Sequence, residues 1–197
     1  MYSAAILVGG RATRFGGRDK GALVFDGQTI RDRQVAALSA VADELLIVGG
    51  DGPDHPMSGQ RHIPDTVPAC GPMGGVHAAL SAARGTALAV VACDMPYLTG
   101  PLMAHLLALS RGADLVIPRT ERGYHPLCAA YTRACLEPLA KRLSARELKM
   151  AALLDDVRVR VVEAEEIEMF GDPHRLLANV NTPADYAGLE ALHGHKR

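Results

Sequence analysis

The chain has 197 residues, 48% of them apolar and 22% charged, with no Trp and a formal net charge of −1. That length suits one domain with a substantial core, and near-neutral charge with 4% aromatic residues argues against a nucleic-acid-binding face, which needs a broad basic surface and stacking rings. The longest apolar run, Ala87 to Cys93, is far short of the roughly 20 residues of a membrane span.

Ala4 to Val8 reads as a buried strand that empties into a glycine-rich segment from Gly9 to Gly21. This entry does not read as a signal peptide. Arg11, Arg14, Arg18 and Lys20 face a single acid there, Asp19. Glycines let the backbone approach a ligand, successive N–H groups can cradle an anion, and the cations suit a polyphosphate. The pattern points to a nucleoside triphosphate. It is not a Walker A loop, because Gly21 follows Lys20, and no G-x-G-x-x-G opens a helix. A surface loop with solvated arginines is the plain alternative. Without an anion, residues 11–18 are expected to be mobile.

Leu23 to Gly27 reads as an extended segment and turn. Thr29 can cap a helix through about Val41, with Ile30, Val35, Leu38 and Val41 on one face. Glu44 to Val48 is a second strand, ending at Gly49-Gly50, and residues 51–60 should be exposed. Arg61 to Pro64 is a short strand that delivers Asp65. Pro72 fits the first turn of a helix to about Arg84. Gly74 and Gly75 disfavour that helix by roughly 1 kcal/mol each relative to Ala. A close ligand or strand would explain them, and so would close helix packing.

Ala87 to Cys93 is too uniformly apolar for a one-sided sheet and reads as a central strand, ending in Asp94-Met95-Pro96. Pro101 to Leu109 is helical by pattern, and Ala113 to Pro118 is strand. Leu127 to Tyr131 is an apolar run that enters a helix ending near Leu143. Arg146 to Leu154 reads as a further helix, and Val157 to Val161 alternates as an edge strand does. Glu163 to Glu168 reads as a solvated face. Asn179 to Pro183 caps a last helix through about Leu192, before a frayed tail. With no repeat or composition break, residues 1–197 read as one domain.

Alternating strands and helices make the class α/β, with a mainly parallel sheet covered on both faces. Ligands of such sheets sit beyond the carboxyl ends of the strands, where the loops at 9–20, 49–53 and 94–97 would meet. Asp94 ends a buried strand, where a carboxylate needs a partner such as a hard divalent ion or a capped turn. Asp65 is a weaker candidate of the same kind, and His125 reads as a packed histidine. Cys70, Cys93, Cys128 and Cys135 form no C-x-x-C pair and read as reduced, mostly buried thiols of a cytoplasmic protein.

Val8-Gly9-Gly10, Arg14, Gly16-Gly17 and Lys20 are followed in order by Asp65, Gly71-Pro72-Met73-Gly74-Gly75, Cys93-Asp94-Met95-Pro96, Tyr124-His125-Pro126 and Asn179-Val180-Asn181-Thr182-Pro183. Over essentially the full length this resembles the molybdenum cofactor guanylyltransferase family of the NTP-transferase superfamily. The first loop alone would mark only the superfamily; the Gly-Pro-x-x-Gly and Asn-Val-Asn-Thr-Pro elements are narrower. Val8 stands where that family usually has Ala, and Gly49-Gly50 where some relatives carry an Asn.

The resemblance implies a three-layer Rossmann-like nucleotidyltransferase fold with a mostly parallel central sheet. It implies transfer of GMP from GTP to the terminal phosphate of molybdopterin, with Mg²⁺ as cofactor and pyrophosphate released. Leu7, Val8, Gly9 and Gly10 would lie against guanine and sugar, with backbone from Gly71 to Gly75 reading the base. Arg14 and Lys20 would hold the triphosphate, Asp65 would contact the nucleotide, and Asp94 would bind Mg²⁺. The acceptor would sit near His125, Asn179 and Asn181, with Arg146 or Lys149 as cationic helpers. An acceptor phosphate is already anionic, so no general base is needed. The resemblance also implies transient contacts with proteins of cofactor biosynthesis. A cytidylyl- or sugar-phosphate nucleotidyltransferase is the near rival, and a non-catalytic GTP-binding carrier the distant one.

Overall fold

The computed structural model describes residues 1–8, 20–25, 27–50, 59–64, 70–182 and 185. Gly9, Gly10, Arg14, the mobility expected at 11–18, Asp65 and the helix expected beyond Asp185 lie outside the described residues. The chain opens with β1 (Ser3–Leu7). A 3-10 turn over Lys20–Ala22 leads to a hairpin of β2 (Val24–Phe25) and β3 (Gln28–Thr29). In α1 (Ile30–Ser39) the Thr29 hydroxyl accepts from the Asp32 N–H, and the Asp32 carboxylate accepts from the Thr29 N–H. This reciprocal cap fixes where the helix begins.

Next come β4 (Glu44–Val48), β5 (Gln60–Ile63), α2 (Gly71–Ala82) with Pro72 in its first turn, and β6 (Ala87–Ala92). Then follow α3 (Gly100–Leu109), β7 (Leu115–Thr120), β8 (Gly123–Tyr124), β9 (Cys128–Thr132) and α4 (Leu136–Ser144). The described chain ends through β10 (Val159–Val162) and the short α5 (Ala164–Ile167) and α6 (Pro173–Leu176).

The main sheet runs β10-β7-β9-β6-β1-β4-β5, with β8 paired to β7. β1 pairs in parallel with β4 and β6, β4 with β5, and β7 with β10. β9 is antiparallel to both β6 and β7, because only the short β8 hairpin separates it from β7. Every β6 residue is buried, as its uniformly apolar sequence predicts for a strand with both faces covered. On one face Ile6, Ile47 and Val91 pack with Leu38 of α1 and Leu102, Met103 and Leu106 of α3. On the other, Ala5, Leu46 and Val90 pack with Met73 and Val76 of α2 and Leu139 of α4. These are the three layers expected. No helix among the described residues is long and apolar enough to cross a membrane.

Three expectations are corrected. The helix read from Arg146 to Leu154 is a 3-10 segment over Met150–Asp155 only. Arg146 has φ +59 and closes α4: its N–H donates to the Leu143 carbonyl, and the Glu147 N–H to that of Arg142. That paired bond pattern ends a helix rather than starting one. The tract from Glu163 to Glu168 is not simply a solvated face. Glu163 binds the Arg119 guanidinium through two hydrogen bonds, and Glu166, 23% exposed, joins His105 and Arg160 at 2.7 Å each. Lastly, the buried stripe of α1 is Ile30, Gln34 and Leu38, with Val35 and Val41 only partly covered.

Candidate active site

The strand register brings Leu7, Val48 and Ala92 side by side. Backbone bonds then carry the order one residue further: the Val8 N–H donates to Val48 (2.8 Å), the Cys93 N–H to Leu7 (3.2 Å) and the Gly49 N–H to Ile63 (3.0 Å). Val8, Gly49 and Asp94 therefore leave the sheet at one edge, the carboxyl ends of β1, β4 and β6, where an open parallel sheet binds ligands. Gly49 has φ +86, and a Cβ there would lie 2.2 Å from the Val8 carbonyl oxygen. The two strand ends approach so closely that only glycine fits. Gly75 on α2 faces Leu7, whose Cδ1 would be 3.4 Å from an added Cβ; of the alternatives weighed for this glycine, close strand packing is the one found. Gly71 opens α2 with φ +58, and none of the described residues lies within 4 Å of a Cβ added there.

Asp94 sits in the turn after β6. Its Oδ1 accepts from Asn179 Nδ2 at 2.7 Å, and its carbonyl accepts from the Val180 N–H at 2.9 Å. Beside it lies a cavity of about 200 Å³ lined by Met95, residues 124–128 and Asn179. Asn179 thus touches Asp94 on one side and the cavity on the other. His125 is half-buried on the cavity wall, with Nε2 2.9 Å from the Thr120 hydroxyl. Burial, and secondarily the Arg122 charge, lowers its pKa below the ordinary histidine value, so the ring is neutral at pH 7. The turn is braced from beneath by buried Tyr131, whose hydroxyl donates to the Pro126 carbonyl at 2.7 Å.

Of the residues singled out from the sequence, Leu7, Val8, Asp94, His125 and Asn179 are brought to this edge and its cavity. Lys20 begins the 3-10 turn before β2. Asn181 follows in the same turn, and its backbone N–H donates to the Asp185 carboxylate at 2.8 Å, as does that of Thr182. Arg146 and Lys149 do not line the cavity. All four cysteines are buried and none forms a disulfide, and burial pushes the Cys128 and Cys135 thiols up to about 12. These two thiols are packing groups, not nucleophiles.

Residues 4–161 match the MobA-like NTP transferase domain family. The chain belongs to that family. A relative from Pelotomaculum thermopropionicum, described as a probable molybdenum cofactor guanylyltransferase, is 33% identical over 195 residues, covering 99% of this chain and 95% of its own. The molybdenum cofactor guanylyltransferase of Desulfosudis oleivorans is 29% identical, with 94% and 93% covered. Among solved structures, molybdopterin-guanine dinucleotide biosynthesis protein A from Archaeoglobus fulgidus superposes with a TM-score of 0.81 at 23% identity, over 98% of each chain. That last likeness is one of fold.

In this MobA-like chain the sequence reading missed Gln34. It is wholly buried on α1, and its Nε2 donates to the carbonyls of Ala92 (2.7 Å) and Met95 (3.1 Å). The available signal was a polar residue four positions from both Ile30 and Leu38, inside the apolar stripe. The donor chemistry at Asp94 fits a hard divalent cation. Among the described residues, no cluster of three or more His, Cys, Asp or Glu could enclose a metal. An ion on this carboxylate would draw the rest of its shell from phosphate and water, as Mg²⁺ commonly does.

Proposed function

We propose that this protein transfers GMP from GTP to the terminal phosphate of molybdopterin, forming the guanine dinucleotide cofactor and releasing pyrophosphate. The observation that carries the reading is Asn179, which joins the Asp94 carboxylate at the sheet edge to the cavity beside His125. Two anionic substrates must meet in this reaction, and Asn179 stands between the places suited to each. The full-length likeness to proteins described as molybdenum cofactor guanylyltransferases supports the choice of substrates.

An oxygen of the acceptor phosphate attacks the α-phosphorus of GTP. One P–O bond forms, the bond from the α-phosphorus to the bridging oxygen breaks, and that oxygen leaves with its electron pair on pyrophosphate. The attacking oxygen is already anionic, so the protein contributes orientation and charge rather than proton abstraction. Leu7, Val8, Gly9, Gly10 and the backbone around Gly71 would hold guanosine, with Asp65 contacting the nucleotide. Arg14 and Lys20 would hold the triphosphate. His125 and Asn179 would orient the acceptor, His125 as a neutral hydrogen-bonding group. Asp94 would hold Mg²⁺, which when bound draws charge from the triphosphate and the departing pyrophosphate.

The test is incubation with molybdopterin, Mg²⁺ and each of GTP, CTP and ATP in turn, with product analysis. The expected result is the guanine dinucleotide and pyrophosphate from GTP. The cytosine dinucleotide as main product would refute guanine selectivity, and no pyrophosphate from any pairing would refute the transferase reading.

A further inference from the structure

Gln34 lies wholly buried in α1, between Ile30 and Leu38. A leucine would fill that place without taking an amide out of water, a transfer that is unfavourable unless hydrogen bonds replace those to the solvent. Both Nε2 hydrogens are used: one on the Ala92 carbonyl, one on that of Met95. Oε1 has no hydrogen-bond partner among the described residues. The amide therefore serves the 92–95 turn alone. Its two acceptors bracket Cys93 and Asp94, just past the last β6 residue, where the Cys93 N–H bond to Leu7 is the last the chain makes to β1 before it turns.

Around Asp94 the structure closes a frame. Gln34 holds the chain on either side, the Val180 N–H holds the Asp94 carbonyl at 2.9 Å, and Asn179 Nδ2 holds Oδ1 at 2.7 Å. The Cys93 N–H ties the turn back to Leu7 at 3.2 Å. We infer that Gln34 is a positioning residue for Asp94: it sets the turn that aims the carboxylate at the metal and nucleotide, without touching either. The inference rests on the reading of Asp94 as the metal-holding carboxylate. It also links the helix that follows the basic loop to the carboxylate at the end of β6, so the nucleotide half and the metal share one brace.

The test compares Gln34→Met, Asp94→Asn and the parent protein. Methionine matches the length of glutamine and removes the donors. Mn²⁺ binding to the protein–GTP complex is measured by electron paramagnetic resonance, GTP binding without metal by calorimetry, and turnover with molybdopterin as a function of Mg²⁺. Loss of an outer-shell partner typically lowers metal affinity or activity about 10–100-fold. A loss in that range is expected for both Mn²⁺ affinity and turnover in Gln34→Met, with metal-free GTP affinity within about twofold. A residue that only glued α1 to the sheet would lower Tm and leave metal affinity and turnover of the folded protein unchanged, and that result would overturn the proposal. If Gln34→Met loses little while Asp94→Asn loses both, Gln34 does not position Asp94 and the metal reading stands. If Asp94→Asn itself keeps Mn²⁺ affinity and turnover, the metal reading fails and takes this inference with it. Should Gln34→Met not fold, the Gln34 side-chain amide protons of the parent GTP complex are followed by NMR. They are expected to shift on adding Mg²⁺ and to stay put in Asp94→Asn; no shift in the parent would overturn the proposal.

Discussion

Gly49→Ala is the sharpest perturbation of the sheet edge. The residue has φ +86, and a Cβ would sit 2.2 Å from the Val8 carbonyl oxygen. Left-handed backbone with a Cβ costs about 1–2 kcal/mol. The overlap with a backbone atom adds to this, because neither strand end can retreat freely. The Val8 N–H is bonded to Val48 at 2.8 Å and the Gly49 N–H to Ile63 at 3.0 Å, while the Gly49 carbonyl accepts from His62 Nε2 at 2.9 Å. Giving up one or two of those bonds costs about 1 kcal/mol each. The sum is about 3 kcal/mol, which for a chain of this size is a fall in Tm of roughly 6–12 °C. Gly59→Ala is the control: φ is +91 there, with nothing among the described residues within 4 Å of the added Cβ. It carries the backbone strain alone, about 1–2 kcal/mol. Thermal denaturation of both variants, followed by circular dichroism, separates strain from collision. A Tm for Gly49→Ala no lower than that of Gly59→Ala would refute the reasoning. Calorimetry at a temperature where both are folded should also find GTP binding weakened in Gly49→Ala alone, since relief of the clash displaces Val8.

Gly75→Ala should stay within about 1 kcal/mol of the parent, because the gain in helix propensity offsets a contact with the flexible end of Leu7 at 3.4 Å; Gly75→Val should lose about 1–3 kcal/mol by overpacking, and equal Tm values for the two would count against it. His125→Phe should raise the acceptor KM about fivefold, one neutral hydrogen bond's worth, with the GTP KM unchanged. Because the His125 pKa is lowered, acceptor KM should be flat down to about pH 6.5 and change only in more acid solution, where the imidazolium would hold the anionic acceptor more tightly; a change centred above pH 7 would be wrong for a neutral histidine. Glu44 is buried, which alone would raise its pKa, but the Arg84 N–H, the Ser3 hydroxyl and the Arg61 guanidinium outweigh burial and lower it. A depressed carboxylate stabilises the fold above its unfolded pKa of about 4.3 and loses that contribution as pH falls through the folded value. Glu44→Gln should therefore be less stable than the parent at pH 7 and approach it in acid, by urea denaturation at each pH; a constant difference would sink the linkage.

The architecture was legible where a local pattern and its tertiary setting agree. Glu44 to Val48 and the wholly apolar Ala87 to Cys93 are strands within a residue of where they were expected, and Thr29 caps α1 as read. Where the deciding partner is distant in sequence, local pattern misleads. Gln34 draws no notice in the sequence, because its acceptors lie 58 and 61 residues away. Glu166 belongs to a charged tract by sequence but is claimed by His105 and Arg160. Arg146 carries no sign that it takes a left-handed φ usually left to glycine. The site divides the same way. Asp94 stood out as an acid ending a buried strand, whereas Asn179 and His125 came only through family resemblance, because nothing in their spacing announces that a chain turn 85 residues on returns to Asp94.

The reversal of β9 has a consequence for how such a site can diversify. On the proposed reading, the nucleotide side is made where strands finish, at Val8, Gly49 and Asp94. The cavity wall is made where a strand begins, since β9 runs the other way and His125 to Leu127 form its approach. The two halves of the pocket thus belong to separate stretches of chain, joined by the β6–β9 ladder, the Ala92–Leu127 backbone bond and the Asp94–Asn179 hydrogen bond. On that reading, residues 124–127 carry much of the acceptor wall on their own stretch of chain, and changes there are expected to alter acceptor choice while the strand ends at Val8, Gly49 and Asp94 keep the donor. One inverted strand would make the substrate pair separable.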